Sequence, residues 1–236
     1  METTLHRQLK TLYAAPGDRL EQELGKYRID VAKSDCLVEV QHSSLNAIRG
    51  KVSELLRRHR VVVVKPLVVK TRIVRLNRKG GQVVSRRWSP KRGQMIDLFD
   101  ELIYFRELFP HPNLTLEIPL VQIEEWRFQG HGRRVRTRLS DHQVQDQLLL
   151  GVEQTVKLNR PTDLWNIVAR PTQCEFSTQD LSKLWQVPRY QAQKIAYTLQ
   201  HCEAIDRIGK SGNSWVYGVA RSKTTTAKPL SLRVAG

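Results

Sequence analysis

The first 41 residues change from a helical to an alternating pattern of apolar positions. Residues 2–14 place four apolar side chains on one helical face, Leu5, Leu9, Leu12 and Tyr13. A Pro-Gly pair then ends this pattern. Three segments with the character of strands follow, at 19–24, 27–32 and 36–41. The polar turn Lys33-Ser34-Asp35 lies between the last two, so we predict one helix and then three strands, of which the last two form a hairpin.

A second helix and a fourth strand follow. Ser43 or Ser44 can cap the helix, because a serine hydroxyl accepts a free backbone N–H. The apolar stripe of this helix consists of Leu45, Ile48, Val52, Leu55 and Leu56. Residues 60–67 are apolar on both faces of a strand, which suits the middle of a sheet covered on both sides. The order αβββαβ predicts an α/β fold with a mixed sheet.

The middle of the chain predicts additions to this sheet. Segments 68–76 and 82–88 flank a Gly-Gly turn and indicate a hairpin. An amphipathic helix is predicted over 96–109, and a strand over 114–126 that is interrupted at Pro119. Three alternating arginines then share one face of a further predicted strand, Arg134, Arg136 and Arg138.

The last third is predominantly helical. The pattern predicts three helices: one over 161–169, one that begins after a capping box at Ser177, and one over 189–203. Two strands are predicted to follow, over 204–208 and 214–219. This order of helices and hairpin resembles the winged-helix family. That resemblance implies a helix whose first turn enters the DNA major groove, although protein binding is the alternative role. Residues 222–236 are predicted to be a disordered basic tail.

Composition narrows the class of partner. The 236 residues carry a formal net charge of +16, which favours a polyanion, because lysine and arginine release counterions when they neutralise phosphates. Apolar runs are far shorter than the roughly 18 residues of a membrane span. No signal-peptide pattern opens the sequence, so we expect a cytoplasmic protein without a membrane partner. The three cysteines are widely spaced and form no CxxC pair, which favours a reducing compartment over a zinc site.

Acidic side chains follow the predicted hairpin in a pattern that suits metal-assisted chemistry. Asp30 lies in the first strand, while Glu39 and Gln41 share one face of the second. An acidic residue beside an acidic-x-amide pair can hold a divalent cation against a phosphodiester. The alternative is purely structural, with Asp30 capping a turn and Glu39 facing solvent.

These residues resemble the PD-(D/E)xK nuclease superfamily, with Asp30 as the motif aspartate and Glu39-Val40-Gln41 in the place of (D/E)-x-K. The match is closer to the nuclease domain of CoiA-type competence proteins, in which an E-x-Q-x-S run is followed by a basic helix. His6, Lys10 and Glu21 also fit that pattern. The resemblance covers about the first 64 residues. It implies a restriction-endonuclease-like core and a Mg²⁺ or Mn²⁺ cofactor bound by Glu21, Asp30, Glu39 and the Val40 carbonyl.

One residue departs from the superfamily pattern. Gln41 stands where lysine is usual, and an amide can neither carry a charge nor take up a proton. Its role would be to orient the attacking water or to hydrogen-bond the scissile phosphate. Glu23 lies on the same predicted face as Glu21 and could replace it as a ligand.

Basic and polar residues in three regions are candidates for nucleic-acid contacts. Arg49 and Lys51 lie on the helix after the E-x-Q strand, and a solvated helix face is the alternative explanation. A basic loop around Trp88 contributes Arg86, Arg87, Lys91 and Arg92. The predicted winged helix contributes Arg189, Tyr190, Gln191, Lys194 and Lys210.

The sequence therefore predicts three parts. These are a nuclease-like domain over 1–157, a winged-helix domain over 158–221 and a basic tail. The expected function is Mg²⁺- or Mn²⁺-dependent hydrolysis of double-stranded DNA. Two alternatives remain open: a DNA-binding protein that keeps the fold without cleavage, and a scaffold whose winged helix binds protein. A homodimer or a partner protein is also compatible with the sequence.

Overall fold

The computed structural model describes residues 3–130 and 142–220. The predicted strand through Arg134, Arg136 and Arg138 and the predicted tail over 222–236 lie outside these ranges. Within them, helices pack against a mixed β-sheet, which confirms the predicted α/β class. No helix in the described ranges has the length and apolar character that a membrane crossing requires.

The N-terminal elements follow the predicted order closely. They are α1 (Thr4–Tyr13), β1 (Arg19–Leu24), β2 (Tyr27–Ala32), β3 (Leu37–Val40), a 3₁₀ turn (Leu45–Ile48), α2 (Arg49–Leu55) and β4 (Val61–Val64). Ser44 caps the 3₁₀ turn by accepting a hydrogen bond from the Asn46 amide at 3.3 Å. The 3₁₀ turn and α2 together occupy the span of the single predicted helix.

The following elements extend the sheet and then add a helical region. They are β5 (Leu67–Leu76), β6 (Val83–Trp88), a 3₁₀ turn (Met95–Leu98), α3 (Phe99–Leu102), β7 (Leu114–Gln129) and β8 (His142–Leu158). After a 3₁₀ turn (Pro161–Asn166) come β9 (Phe176–Ser177), α4 (Thr178–Trp185), α5 (Arg189–His201), β10 (Ile205–Ser211) and β11 (Ser214–Val219). Strands β9, β11 and β10 form a second, antiparallel sheet.

Strand β7 organises the large sheet. It pairs in parallel with β4 and with the start of β5 at one register, since Val61 faces Leu114 and Leu67 faces Leu120. The register with β5 then shifts by one residue between Val68 and Lys70. Strands β4 and β5 therefore follow one edge of β7 in line, and β8 pairs antiparallel along the other edge. Strand β3 flanks β4 in parallel, followed by antiparallel β2 and β1, while β6 flanks β5 antiparallel.

Prolines mark the junction between β4 and β5. By the register of the flanking pairs, Pro66 falls opposite Pro119. Neither proline has an amide hydrogen to donate. Strand β7 continues through Pro119 to Gln129, so the interruption that we predicted there is a local irregularity of pairing, with a register shift against β8 between Leu120 and Val121.

The predicted helix over 96–109 is shorter and more irregular than expected. It consists of the 3₁₀ turn, one turn of α3 and further turns in which the amides of Tyr104, Phe105 and Leu108 bond three residues back. The apolar residues of the segment are nevertheless buried, with Phe99, Phe105 and Phe109 at most 1% exposed. Burial rather than helical regularity therefore accounts for the apolar spacing in the sequence.

Two apolar clusters cover the two faces of the sheet. The smaller one joins Leu5 and Leu9 of α1 to β2, β3, β4 and β7. The larger one includes residues of α2 and α3 and continues into α4, α5, β10 and β11. The predicted boundary near residue 158 is therefore a change of topology, across which apolar packing is continuous.

We expect this shared packing to make residues 3–130 and 142–220 unfold in one transition. Phe105→Ala should lower the free energy of unfolding by about 3–5 kcal/mol through lost burial and a residual cavity. The neighbouring Tyr104→Ala is the matched control, because Tyr104 is 41% exposed, and its effect should stay within about 0.5 kcal/mol. Urea denaturation, monitored by tryptophan fluorescence and by circular dichroism, measures the free energy of unfolding of both variants. Two separate transitions in the wild type would contradict a shared core.

Candidate functional site

Strands β2 and β3 separate at Asp30 and Glu39. The last ladder pair towards this end is Val31 with Val38, and in a regular antiparallel ladder Asp30 and Glu39 would come next. A side-chain bond takes the place of that pair, because the Val40 amide donates to Asp30 Oδ2 at 2.8 Å. The Asp30 amide also favours the ionised form of Glu39 and so lowers its pKa.

Asp30 is held in its ionised form. Burial opposes its ionisation, but the nearby His6 side chain, the hydrogen bond from the Val40 amide and the positive charge of Lys10 keep its pKa below the ordinary value. His6 Nε2 lies 3.5 Å from Asp30 Oδ2. Helix α1 therefore brings two basic side chains to the Asp30 side of the opening.

The pKa of Glu39, in contrast to that of Asp30, is raised above the ordinary value. It is 3% exposed, and its burial raises the pKa to about 7 despite the ion pair with Lys51. The negative charge of Asp30 raises it further. Lys51 Nζ lies 2.6 Å from Glu39 Oε1, and the Lys51 side chain is 17% exposed. Helix α2 thus supplies one half-buried ammonium group, which also donates to the Arg28 carbonyl.

Glu21 does not join the other two acidic residues. Its backbone is left-handed, with φ of 55°, which is uncommon for a residue with a side chain. Its carboxylate forms ion pairs with Lys10 and Arg28. Within residues 3–130 and 142–220, no three His, Cys, Asp or Glu side chains gather as a ready metal site. Glu23, the sequence-based substitute, is exposed on β1.

Gln41 and Lys65 hold the turn that follows β3. Gln41 Nε2 donates to Ser43 Oγ at 2.7 Å and to the Ser44 carbonyl at 2.8 Å. Lys65, at the end of the neighbouring strand β4, donates to the carbonyls of His42 and Ser43. Burial lowers the pKa of Lys65, while Glu101, 3.9 Å away, raises it. The Gln41 amide is therefore engaged in local structure.

The predicted basic loop is exposed. All six residues of β6 are exposed, including Arg86 and Arg87, and so are Lys91 and Arg92 in the loop that follows. Trp88 is 46% exposed, with the Arg72 guanidinium 5.9 Å from its ring centre. Arg49 is likewise exposed, on the first turn of α2. These cations lie on the surface, where a polyanion can reach them.

The predicted contacts in the C-terminal region differ in availability. Arg189 and Tyr190 are exposed at the start of α5, and Gln191 is half-buried. Lys194 forms an ion pair with Asp100 of α3, so it helps to join the two regions. Lys210 lies on the β10–β11 hairpin, with its ammonium 4.4 Å from the ring centre of Trp215.

The structure adds roles that the sequence did not reveal. Lys51, predicted as a phosphate contact, lies against Glu39, and Lys65 was not among the predicted site residues. A signal existed for Lys51, since it precedes Val52 in the buried stripe and a lysine there can run its stem along apolar surface. For Lys65 the signal was its position directly after four buried or half-buried valines.

The geometry defines an α/β protein with a buried acid–base cluster at an opening in its mixed sheet. The family model described as "Domain of unknown function (DUF8091)" matches residues 3–159, and the chain belongs to this family. The match extends from α1 to the end of β8 and includes the whole cluster.

An uncharacterized protein of Treponema pallidum (strain Nichols) is a relative, 34% identical over 155 residues. The alignment covers 65% of this chain and 61% of the relative's own length. The search of solved structures finds no match.

The raised pKa of Glu39 predicts a pH-dependent effect of Glu39→Gln on stability. The folded state binds the proton more tightly than the unfolded state, so ionisation of Glu39 costs stability as pH rises from about 4.5 to about 7. The variant lacks this cost. We therefore compare the free energies of unfolding of Glu39→Gln and wild type. We expect the value for the variant minus the value for wild type to increase by about 1–3 kcal/mol across that interval.

Urea titrations at pH 4.5, 6 and 8 measure this difference. Glu23→Gln is the matched control, because Glu23 is an exposed carboxyl on β1, in the same sheet. A Glu39→Gln difference that is constant with pH would contradict the assigned direction.

Proposed function

We propose that this protein is a metal-dependent nuclease that hydrolyses phosphodiester bonds of DNA. The observation that carries the proposal is the pairing of Asp30 and Glu39 at the opening of the sheet, with Lys51 against Glu39. The resemblance of Asp30 and Glu39-Val40-Gln41 to the PD-(D/E)xK pattern supports the same reaction class. In this proposal residues 4–64 form a restriction-endonuclease-like core.

The donor set suits Mg²⁺ or Mn²⁺. Mg²⁺ keeps several waters and needs one or two protein carboxylates together with substrate phosphate oxygens, and Asp30 and Glu39 provide two. Their mutual repulsion contributes to the raised pKa of Glu39, so a cation beside both would favour their ionised forms. A bound cation would lower the pKa of a water and stabilise charge on the phosphate. Glu21 could contribute only after leaving Lys10 and Arg28.

Lys51 supplies the positive charge that Gln41 cannot. Its ammonium is mostly buried and lies 2.6 Å from Glu39 Oε1, where it can donate to a phosphate oxygen as the negative charge grows. A preorganised donor in a poorly hydrated site stabilises such charge more than the same donor in water. Lys51 is therefore assigned a catalytic role in place of the sequence-based role of backbone contact.

DNA would be held by surfaces outside the opening. Candidate phosphate contacts on the N-terminal part are the exposed residues Arg49, Arg86, Arg87, Lys91 and Arg92. The region with α4, α5, β10 and β11 is proposed as a winged helix that binds duplex DNA through Arg189, Tyr190 and Gln191. The net charge of +16 supports a polyanionic substrate.

A second candidate function is DNA binding without cleavage. It is favoured by the Gln41 amide, which is occupied by Ser43 and Ser44, and by the ion pairs of Glu21. In this alternative the buried carboxylates stabilise the opening, and the exposed cations bind DNA as before. The two functions differ in their dependence on Asp30, Glu39 and a divalent cation.

Conservative substitutions in the cluster test cleavage. We expect Asp30→Asn, Glu39→Gln and Lys51→Met each to reduce the cleavage rate of plasmid DNA in Mg²⁺ or Mn²⁺ by about 100-fold or more. Each removes a charge at the opening while leaving the exposed cations in place, so DNA affinity should remain. Gel assays of supercoiled, linear and single-stranded DNA measure the rate, and fluorescence anisotropy measures affinity.

Lys26→Met is the matched control for Lys51→Met. Lys26 also pairs with a glutamate, Glu54, but its side chain is 68% exposed, so its loss should leave the rate unchanged. Tight, salt-dependent DNA binding by a wild type that does not cleave would favour the second function. Absence of DNA binding would overturn both and direct attention to protein partners.

The exposed arginine pair on β6 predicts a change in salt dependence. Arg86→Gln with Arg87→Gln should weaken binding to all duplex sequences and reduce the slope of log affinity against log salt by about 0.9 for each phosphate that the variant no longer neutralises. Arg57→Gln with Arg58→Gln is the control, because this adjacent pair is also exposed but lies after α2. Equal slope changes in the two double variants would contradict a specific role for β6.

A further inference from the structure

A cavity of about 250 Å³ opens between helix α5 and the β10–β11 hairpin. Aromatic, guanidinium and amide side chains line its walls, chiefly Arg189, Gln193, Tyr197, Arg207, Trp215 and Tyr217. None of the described residues that line it is acidic, and two are arginines. The wall chemistry therefore suits a ligand that is both planar and anionic.

Trp215 is the largest aromatic surface of this cavity, and it is 41% exposed. The Arg207 guanidinium lies 4.7 Å from its ring centre, and the Lys210 ammonium lies 4.4 Å from it. Cation–π attraction favours these positions. Two positive charges are thus held beside an aromatic ring that remains accessible.

The helix contributes a second exposed aromatic ring. Tyr197 of α5 is 36% exposed; its ring packs against His201, and the Arg106 guanidinium lies 5.5 Å from the ring centre. Arg189 of the same helix lies near the hairpin, with Nη2 3.4 Å from Ser214 Oγ. The aromatic surfaces and the cations therefore come from both sides of the cavity.

We propose that this cavity binds an unpaired nucleobase at the end of a DNA strand. The base stacks on Trp215 in the place of one of the two cations that lie over its ring, amide groups such as Gln193 hydrogen-bond its edge, and Arg189 or Arg207 holds the adjacent phosphate. Base–aromatic stacking tolerates any base, because every base has a π-face. The volume lies just below the roughly 300 Å³ lower end of small-molecule pockets, which suits one nucleotide rather than a duplex.

This inference rests on the proposed function and specifies its substrate. A protein with this cavity would favour DNA whose strands end in an unpaired nucleotide over fully paired DNA of equal length. Tyr190, exposed at the start of α5, does not line the cavity and remains available to the duplex. The cavity therefore adds recognition of strand ends to the general attraction of the positive surface.

The test compares three duplexes of equal paired length on the full chain in EDTA, which keeps cleavage out of the measurement. One duplex is blunt, one carries a single-nucleotide overhang, and one carries an abasic overhang that adds the phosphate without the base. We expect the overhang duplex to bind about 10-fold more tightly than the abasic one. Fluorescence anisotropy gives the affinities, and 2-aminopurine at the overhang reports stacking by quenching.

Trp215→Ala should abolish the difference between base and abasic overhangs, and Trp215→Tyr should restore most of it. Arg207→Gln should weaken binding of both overhangs relative to the blunt duplex. Trp88→Ala is the matched control, because Trp88 is also an exposed tryptophan with an arginine at its ring, and it should leave the preference unchanged.

Three outcomes overturn the inference. They are equal binding of base and abasic overhangs by the wild type, a preference that survives Trp215→Ala, and an equal loss of preference in Trp88→Ala. Retained affinity for the blunt duplex in any of these cases leaves the proposed function intact. Absence of binding to all three duplexes removes the DNA part of the proposed function together with the inference.

Discussion

The half-buried Asp30 and the buried Glu39 stand where the next ladder pair of β2 and β3 would form, and their placement constrains the surrounding structure. Asp30 accepts from the Val40 amide, so the strands stay connected while they separate. Buried carboxylates need partners of opposite charge. Helix α1 provides His6 and Lys10 on one side, and helix α2 provides Lys51 on the other. The positions of both helices are thereby tied to the opening, as the apolar clusters also require.

Local patterns in the sequence predicted much of the N-terminal region. Strands β1 and β2 have the predicted bounds, because alternation and turn residues act over a few neighbours. The in-line arrangement of β4 and β5 along β7 depends on partners about 50 residues away, which no local pattern encodes. In the segment 96–109, the local pattern predicted which residues are buried but not the backbone conformation. Its apolar residues are spaced as in a helix, whereas its backbone consists mostly of turns.

The candidate site was predicted in part for the same reason. Asp30, Glu39 and Gln41 follow from residue type and strand alternation, and the structure places Asp30 beside Glu39 as expected for a hairpin. Which cation meets which carboxylate depends on side-chain direction across separate elements. Lys51 against Glu39 and Lys194 against Asp100 are both of this kind. The cavity at Trp215 likewise requires the packing of α5 on the hairpin.

The turn after β3 is bonded by the side chains at positions 41 and 65, so a substitution at one of these positions affects the other. Gln41 and Lys65 lie at the ends of neighbouring parallel strands, and both donate to the turn at residues 42–44. A lysine at position 41 would place two ammonium groups side by side around that turn, and like charges on adjacent strands destabilise a sheet. Substitutions at positions 41 and 65 should therefore be correlated during evolution. A lineage with lysine at position 41 should carry an uncharged residue at position 65, and the order of the two exchanges would be constrained.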